Sequence, residues 1–338
     1  MERFEIDNTY NGIFDEHDGA IRTLKKIYWN EIINPYRKSD KVMDMHTHTS
    51  YSDGDLTPNQ LIRLAVEKKI SVLGITDHDT LDGVKTINRH DSLIQDSGIE
   101  IINGIELSVF TEKGRMHMLG YDIDINNDSL NKKMIELKDN SINSVLSLIE
   151  QLKRDYGIYF GYNDIKELVN ATHNLGRVDL AKLCVKYKYA TSIQEAFDKY
   201  LIDVHNKTRC FNNKLSYEEA ISLIIKGGGI PVLAHPKSLE MSKKDFLILL
   251  KEMISLGLKG IEVYHSSHTL EEQDEYLKLA NKYDLLVSGG SDFHGPKTKP
   301  DVKLGTGKNN NIKIKSLSLV DYIKMMKWLF RWDRVNKI

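Results

Sequence analysis

From residue 41 onward the chain alternates short apolar runs with amphipathic stretches at a spacing that leaves few folds open. "KVMDMHTHT", "SVLGITDHD", "IEIINGIELSVF" and "GRMHMLGYDI" read as strands bounded by polar turns. Between the first two, "TPNQLIRLAVEKKI" reads as a helix with Thr57 as N-cap and Pro58 at its first position. "GVKTINRHDSLIQDSG" reads as one further helix, closed by Gly98. Such alternation predicts a parallel sheet or an α/β barrel. The rhythm stops near residue 127 and gives way to a mostly helical stretch that ends near 215, which predicts an inserted helical subdomain. It resumes with the helix "SYEEAISLIIKGGG" and the strand "IPVLAHP", then the helix "SKKDFLILLKEMISLG" and the strand "GIEVYH". The helix "TLEEQDEYLKLANKYD", the strand "LLVSGGSDFHG" and a closing strand and helix in "NNIKIKSLSLVDYIKMMKWLF" complete it. The expected organisation is therefore an extension over 1–40, helical in "AIRTLKKIYWNEIINPY", a barrel's first part over 41–126, the helical insertion over 127–215, and the barrel's second part with a final helix over 216–338.

The strand ends carry the chemistry. The first run holds His46 and His48, two apart and so on one face of an extended segment, with Asp53 just beyond. Later runs end in or hold His78, Glu106, His117, His235, Asp292 and His294. Six of the twelve histidines thus fall at strand ends or in the loops that follow. In parallel α/β architectures those ends converge on one face. Imidazole with carboxylate suits Zn, Mn or Fe better than Ca, and two or three ions can share nine ligands if one carboxylate bridges. A single His-x-His pair is often structural; nine such groups at strand ends are not.

Composition bounds the partners. The chain has 338 residues, with 47 basic against 48 acidic side chains. That balance advertises neither a membrane surface nor long nucleic acid, although a small phosphorylated substrate needs only a local positive site. No apolar run reaches membrane-spanning length and the first residues lack a secretory signal, so a cytoplasmic protein is expected. Cys184 and Cys210 match neither a disulfide framework nor a zinc ribbon.

In order along the chain, "HTHTSYSDG", "GITDHDT", "NGIELS", "MHMLGYDI", "GGIPVLAHP", "GIEVYHSSHT" and "GGSDFHG" resemble the PHP (polymerase and histidinol phosphatase) superfamily. The resemblance runs from about 41 to 310. It is strongest to the stand-alone metal-dependent phosphoesterases that act on nucleoside phosphates or short RNA. It implies a distorted seven-stranded (β/α) barrel with a helical insertion, and a three-metal site. In that site His46, His48, Glu106 and Asp292 hold one ion. Glu106 bridges to a second, completed by His117 and His235, while Asp53, His78 and His294 hold a third. The implied reaction is hydrolysis of a phosphate ester by a metal-activated hydroxide. The substrate would be a small molecule or nucleotide, with cyclic phosphodiesters and 5'-3' trimming of short oligonucleotides as alternatives. From other classes, C–N hydrolysis by a related metal barrel is disfavoured because Glu106 stands where that branch commonly carries a carboxylated lysine. A non-catalytic metal-binding module is disfavoured by the intact ligand set.

Further residues follow from the resemblance. Arg177 in "LGRVDL" matches an arginine expected to face substrate phosphate, for which a guanidinium fork is suited. Val178 and Asp179 depart from the family's usual Pro and His there, and a carboxylate at 179 is expected to repel phosphate. The stretch 140–144 has serine and asparagine where relatives often carry an arginine pair, which predicts a smaller or less charged substrate. His268 matches a histidine near substrate and is a candidate leaving-group acid. His265 and Lys237 are weaker candidates. His17, His90, His173 and His205 read as ordinary surface or helix residues, and the glycines at 227–229 as a turn.

Overall fold

The computed structural model describes residues 42–111, 114–171, 175–208, 214–315 and 317–335. The helix expected before residue 41, His17, His173 and Cys210 lie outside them.

Seven strands lie side by side in chain order: β1 (Val42–Asp44), β2 (Ile70–Ile75), β3 (Glu100–Val109), β4 (Met116–Tyr121), β5 (Ile230–Leu233), β6 (Gly260–His265) and β7 (Leu286–Gly290). The sheet curls into a nearly closed barrel. Its two edges meet where Met45 N–H donates to Gly289 O (3.2 Å) and His48 N–H to Phe293 O (2.9 Å). That approach needs a glycine at 290, because a Cβ there would collide with the His46 backbone.

The parallel expectation holds for β1–β3 and β5–β7 but fails in the middle. β4 is antiparallel to both β3 and β5. A strand reversed in this way begins at the rim where its neighbours end, so His117 reaches the common face from the start of β4. The pairing of Ser108 with His117 sets Glu106 and His117 diagonally on one side of the sheet.

Local capping explains the helices around the barrel. α1 (Pro58–Glu67) opens on a capping box between Thr57 and Gln60, with Pro58 at its start, and buries Leu61, Ile62 and Ala65. The single helix expected over 83–98 is two: α2 (Asp82–Lys85) and α3 (Ser92–Ser97). Asp91 accepts the Leu93 N–H and so starts a new helix, while Arg89 turns away to the Ile101 carbonyl. Gly98 ends α3 at φ 65°, as expected. The first strand is also shorter than its text: His46 and His48 lie beyond β1 on extended chain held by Thr47 and Phe293.

α4 (Asp128–Tyr156) runs for 29 residues between two apolar cores. Its first part packs Leu130, Met134 and Leu137 on the barrel core, and its second packs Val145, Leu148 and Leu152 into a separate helical cluster. That cluster includes α5 (Tyr162–Val169), α6 (Arg177–Lys186) and α7 (Ile193–Ala196), which continues through a π-helical turn at Phe197–Leu201 into α8 (Ile202–Thr208). The barrel is completed by α9 (Tyr217–Lys226), α10 (Lys243–Ser255), α11 (Leu270–Lys282) and α12 (Ser318–Val335). No strand forms over 311–315; one hydrogen bond from Met43 N–H to Ile314 O fastens that stretch to β1, and a small hairpin of β8 (Val302–Lys303) and β9 (Gly307–Lys308) precedes it. No described helix is long and apolar enough to cross a membrane.

Candidate metal centre

All nine strand-end residues meet at one rim of the barrel, with Glu106 at their centre. Its Oε2 lies 3.0 Å from His46 Nε2, 3.1 Å from His48 Nε2 and 3.4 Å from His78 Nε2. Its Oε1 faces a different pair, 2.8 Å from His117 Nδ1 and 2.9 Å from His235 Nε2. Asp292 Oδ1 stands 3.2 Å from His48 Nε2 and 3.3 Å from His294 Nδ1. Asp53 is 3.2 Å from His294 Nε2 and 3.9 Å from His78 Nε2.

Two of these residues reach the rim through unusual backbone. His235 follows β5 at φ 22° and Asp292 follows β7 at φ 56°, a region non-glycine residues rarely occupy. Each is fastened there: His235 N–H donates to Glu262 Oε2 (2.8 Å) and Asp292 N–H to His46 O (2.9 Å). Asp53 sits on a loop tied down by Asp77, which accepts from Thr49 N–H (2.6 Å), Thr49 Oγ1 (2.7 Å) and Ser52 Oγ (2.7 Å).

The donor set fits divalent ions. Both ring nitrogens of the buried His48 lack a hydrogen-bond partner among the described residues. Lone-pair donors from His46, His48, Glu106 and Asp292 lie within 4.8 Å of one another, as do those of His48, Asp53, His78 and His294 and those of His78, Glu106 and His117. Burial opposes charge on His48, yet Asp292 and Glu106 outweigh it and raise the ring to about 9. Burial would push the Glu106 carboxyl up, but His46, His78 and His117 hold it well below the usual range. His117 falls to about 4, because burial and the neighbouring rings of His78 and His235 outweigh Glu106.

Several structural partners escaped the sequence reading. Glu262 is fully buried on β6 and accepts from His46 Nδ1 (2.9 Å) as well as from the His235 backbone. It lay inside the quoted "GIEVYH", and its signal was a charged residue at a core-facing strand position. Asp44 is no ligand; it accepts from the Ser291 N–H (2.8 Å), Ser291 Oγ (2.6 Å) and the Gly305 N–H (2.8 Å). Asp55, equally, bonds the 297–298 backbone and Thr298 Oγ1.

A cavity of about 800 Å3 opens from the cluster toward the helical insertion. Asp53, His78 and His117 line one side; Arg115, Arg177 and Lys214 line the rest together with Phe110 and Phe197. Arg177 stands at the start of α6 with its guanidinium 5.7 Å from the Phe197 ring centroid. His205, expected to be an ordinary helix residue, lines this cavity as well.

Two expectations need correction. Asp179 does not oppose substrate, because its Oδ2 turns back to accept the Gly176 N–H (2.9 Å) and caps α6. Asn140, Ser141 and Ser144 line the cavity, and Arg115 and Lys214 bring cations to it from other elements. His268 does not line the cavity. It is 2 % exposed, bonds the Val263 carbonyl through Nδ1 (2.8 Å) and packs on Tyr276, and burial lowers its ring to about 4. A position away from the cavity does not suit a leaving-group acid. Lys237 pairs with Glu272 at 2.9 Å.

Residues 44–208 match the PHP domain. The 5'-3' exoribonuclease Rnm of Escherichia coli is 30 % identical over 78 % of this chain and 88 % of its own length. The chain belongs to the PHP family. A 3',5'-nucleoside bisphosphate phosphatase of Chromobacterium violaceum is 27 % identical to this PHP chain over 75 % of it and 87 % of the relative. Among solved structures, a protein from Bifidobacterium adolescentis described as a metal-dependent phosphoesterase aligns with a TM-score of 0.63. It is 27 % identical and the match covers 80 % of this PHP chain and 94 % of that one. Both named relatives are hydrolases of phosphoester bonds.

Proposed function

We propose that this PHP chain is a metal-dependent phosphoesterase acting on a small phosphorylated molecule, a nucleotide or a short oligonucleotide. The observation that carries this reading is the division of labour on Glu106, whose two oxygens face separate sets of imidazoles. His46, His48, Glu106 and Asp292 would hold one ion, Glu106, His117 and His235 a second, and Asp53, His78 and His294 a third, with Mn, Fe or Zn suited to such ligands. When bound, such ions acidify water from a pKa near 16 to about 7 and neutralise charge developing on phosphoryl oxygens.

The chain's own groups do the rest. Glu106 and Asp292 supply the negative charge that concentrates cations at the rim, and the buried imidazoles give it a fixed shape. Arg177, braced by Phe197, presents a planar fork into the cavity for a phosphate that has entered. Arg115 and Lys214 extend positive charge along the same wall, which favours anionic substrates without a basic surface overall. We read the helical cluster around α4–α8 as the unit that closes this cavity over the barrel.

The test is hydrolysis by protein stripped of metal and reloaded with Mn, Fe(II) or Zn. The substrates are mono- and bisphosphate nucleotides, cyclic phosphates, histidinol phosphate and short oligonucleotides. Turnover should depend on reloading, and Asp292→Ala or His48→Ala should lower it at least ~100-fold, since each removes a ligand rather than an outer partner. Undiminished turnover in the stripped protein, or in either variant, would overturn the proposal.

A further inference from the structure

Asp292 is held by one oxygen and offered by the other. Oδ1 faces the imidazoles of His48, His294 and, at 3.6 Å, His46. Oδ2 points the opposite way, 2.6 Å from Lys299 Nζ and 3.4 Å from His265 Nε2. Ser267 meets His265 Nδ1 with both its N–H (3.1 Å) and its Oγ (2.8 Å), which fixes the ring with Nε2 turned toward Asp292. His265 is buried, and its Nε2 has no hydrogen-bond partner among the described residues, with Asp292 Oδ2 3.4 Å away.

Lys299 is not left to find Asp292 by chance. Its N–H donates to Gly295 O (3.0 Å), and Asp55 accepts from the Lys297 N–H, the Thr298 N–H and Thr298 Oγ1. Asp55 N–H in turn donates to His294 O (2.7 Å). Gly295, at φ 97°, permits the contact, since a Cβ there would lie 2.5 Å from Asp55 Cβ. Asp55 therefore ties the loop bearing Asp53 to the loop bearing Lys299.

We propose that Lys299 and His265 are positioning residues that clamp Asp292 through Oδ2, so that only Oδ1 is presented to a divalent ion, and that Asp55 holds the clamp closed. The inference rests on the metal centre proposed above. A carboxylate held at Oδ2 by Lys299 would offer an ion Oδ1 alone and would resist turning both oxygens to the rim. Two effects of Lys299 oppose each other: its charge repels a cation, and its hydrogen bond orients the ligand. The clamp requires orientation to win, because the ammonium is anchored at a fixed distance and outer partners of metal ligands are typically worth 10- to 100-fold in affinity.

The test titrates metal-free full-length protein with Co(II) and with Zn(II) against a chromogenic chelator, and follows the Co(II) absorption spectrum. Lys299→Met should bind about 10-fold or more weakly, with a changed Co(II) spectrum, while circular dichroism remains that of the unsubstituted protein. Lys299→Arg should restore most of the affinity, and Asp55→Asn should weaken binding in the same direction by less. Lys299→Met binding with unchanged or higher affinity and an unchanged spectrum would overturn the clamp. Failure of the unsubstituted protein to bind either ion would instead overturn the metal centre itself, so the two failures are told apart.

Discussion

Glu262 shows why a buried charge persists in this barrel. Both groups that meet it, His46 Nδ1 and the His235 N–H, approach as donors when His46 turns its Nε2 lone pair to the rim. Only a carboxylate of this length has two acceptor oxygens for them. Glu262→Gln would leave one donor facing an amide NH2. We expect metal affinity to fall about 10- to 100-fold while the fold is retained, as measured by the same chelator competition. Asp179 makes the opposite case. Its carboxylate serves the Gly176 N–H at the start of α6, so Asp179→Ala should cost ~0.5–1 kcal/mol in denaturant unfolding and leave substrate preference unchanged. A shift in preference would return Asp179 to the cavity.

At the scale of elements, the helical cluster is a second apolar core joined to the barrel through α4, and Cys184 on α6 reports on its integrity. Burial pushes that thiol up to about 11 from an ordinary 9.0. The unfolded chain therefore releases this proton first, binds fewer protons than the native chain between those values, and gains on it as pH rises. Cys184 thus contributes a loss of stability from about pH 9 to 11. In a Cys210→Ser background, alkylation at pH 9 should be slow in the native protein and fast in guanidinium; rapid native labelling would mean the cluster opens readily. The elements themselves were largely legible. Thr57 with Pro58, Gly98 at a positive φ and the long amphipathic helix after 127 are local signals, and each acts within one turn of chain. The break at Asp91 was missed because a capping residue and a helix-interior residue read alike until Arg89 finds its tertiary partner.

For the whole molecule, the rim gathers imidazole and carboxylate donors that a cation would bind together. Removing metal with a chelator should lower the melting temperature, and each ion restored should raise it with concentration, because a ligand that binds only the native state stabilises it by RT ln(1 + [L]/Kd). A melting temperature indifferent to Zn(II) or Mn(II) would argue against a site formed by folding. The sequence alone determined the strand–helix rhythm and the residue types gathered at strand ends, since periodicity and capping are written within a few residues. Only the tertiary structure decided that β4 runs backwards, that Asp179 turns away from the cavity while His268 lies outside it, and that Glu262, Lys299 and Asp55 act behind the ligands. The contacts of Glu262 and Asp55 join segments as much as 243 residues apart, and no local pattern encodes which carboxylate oxygen a distant donor will take.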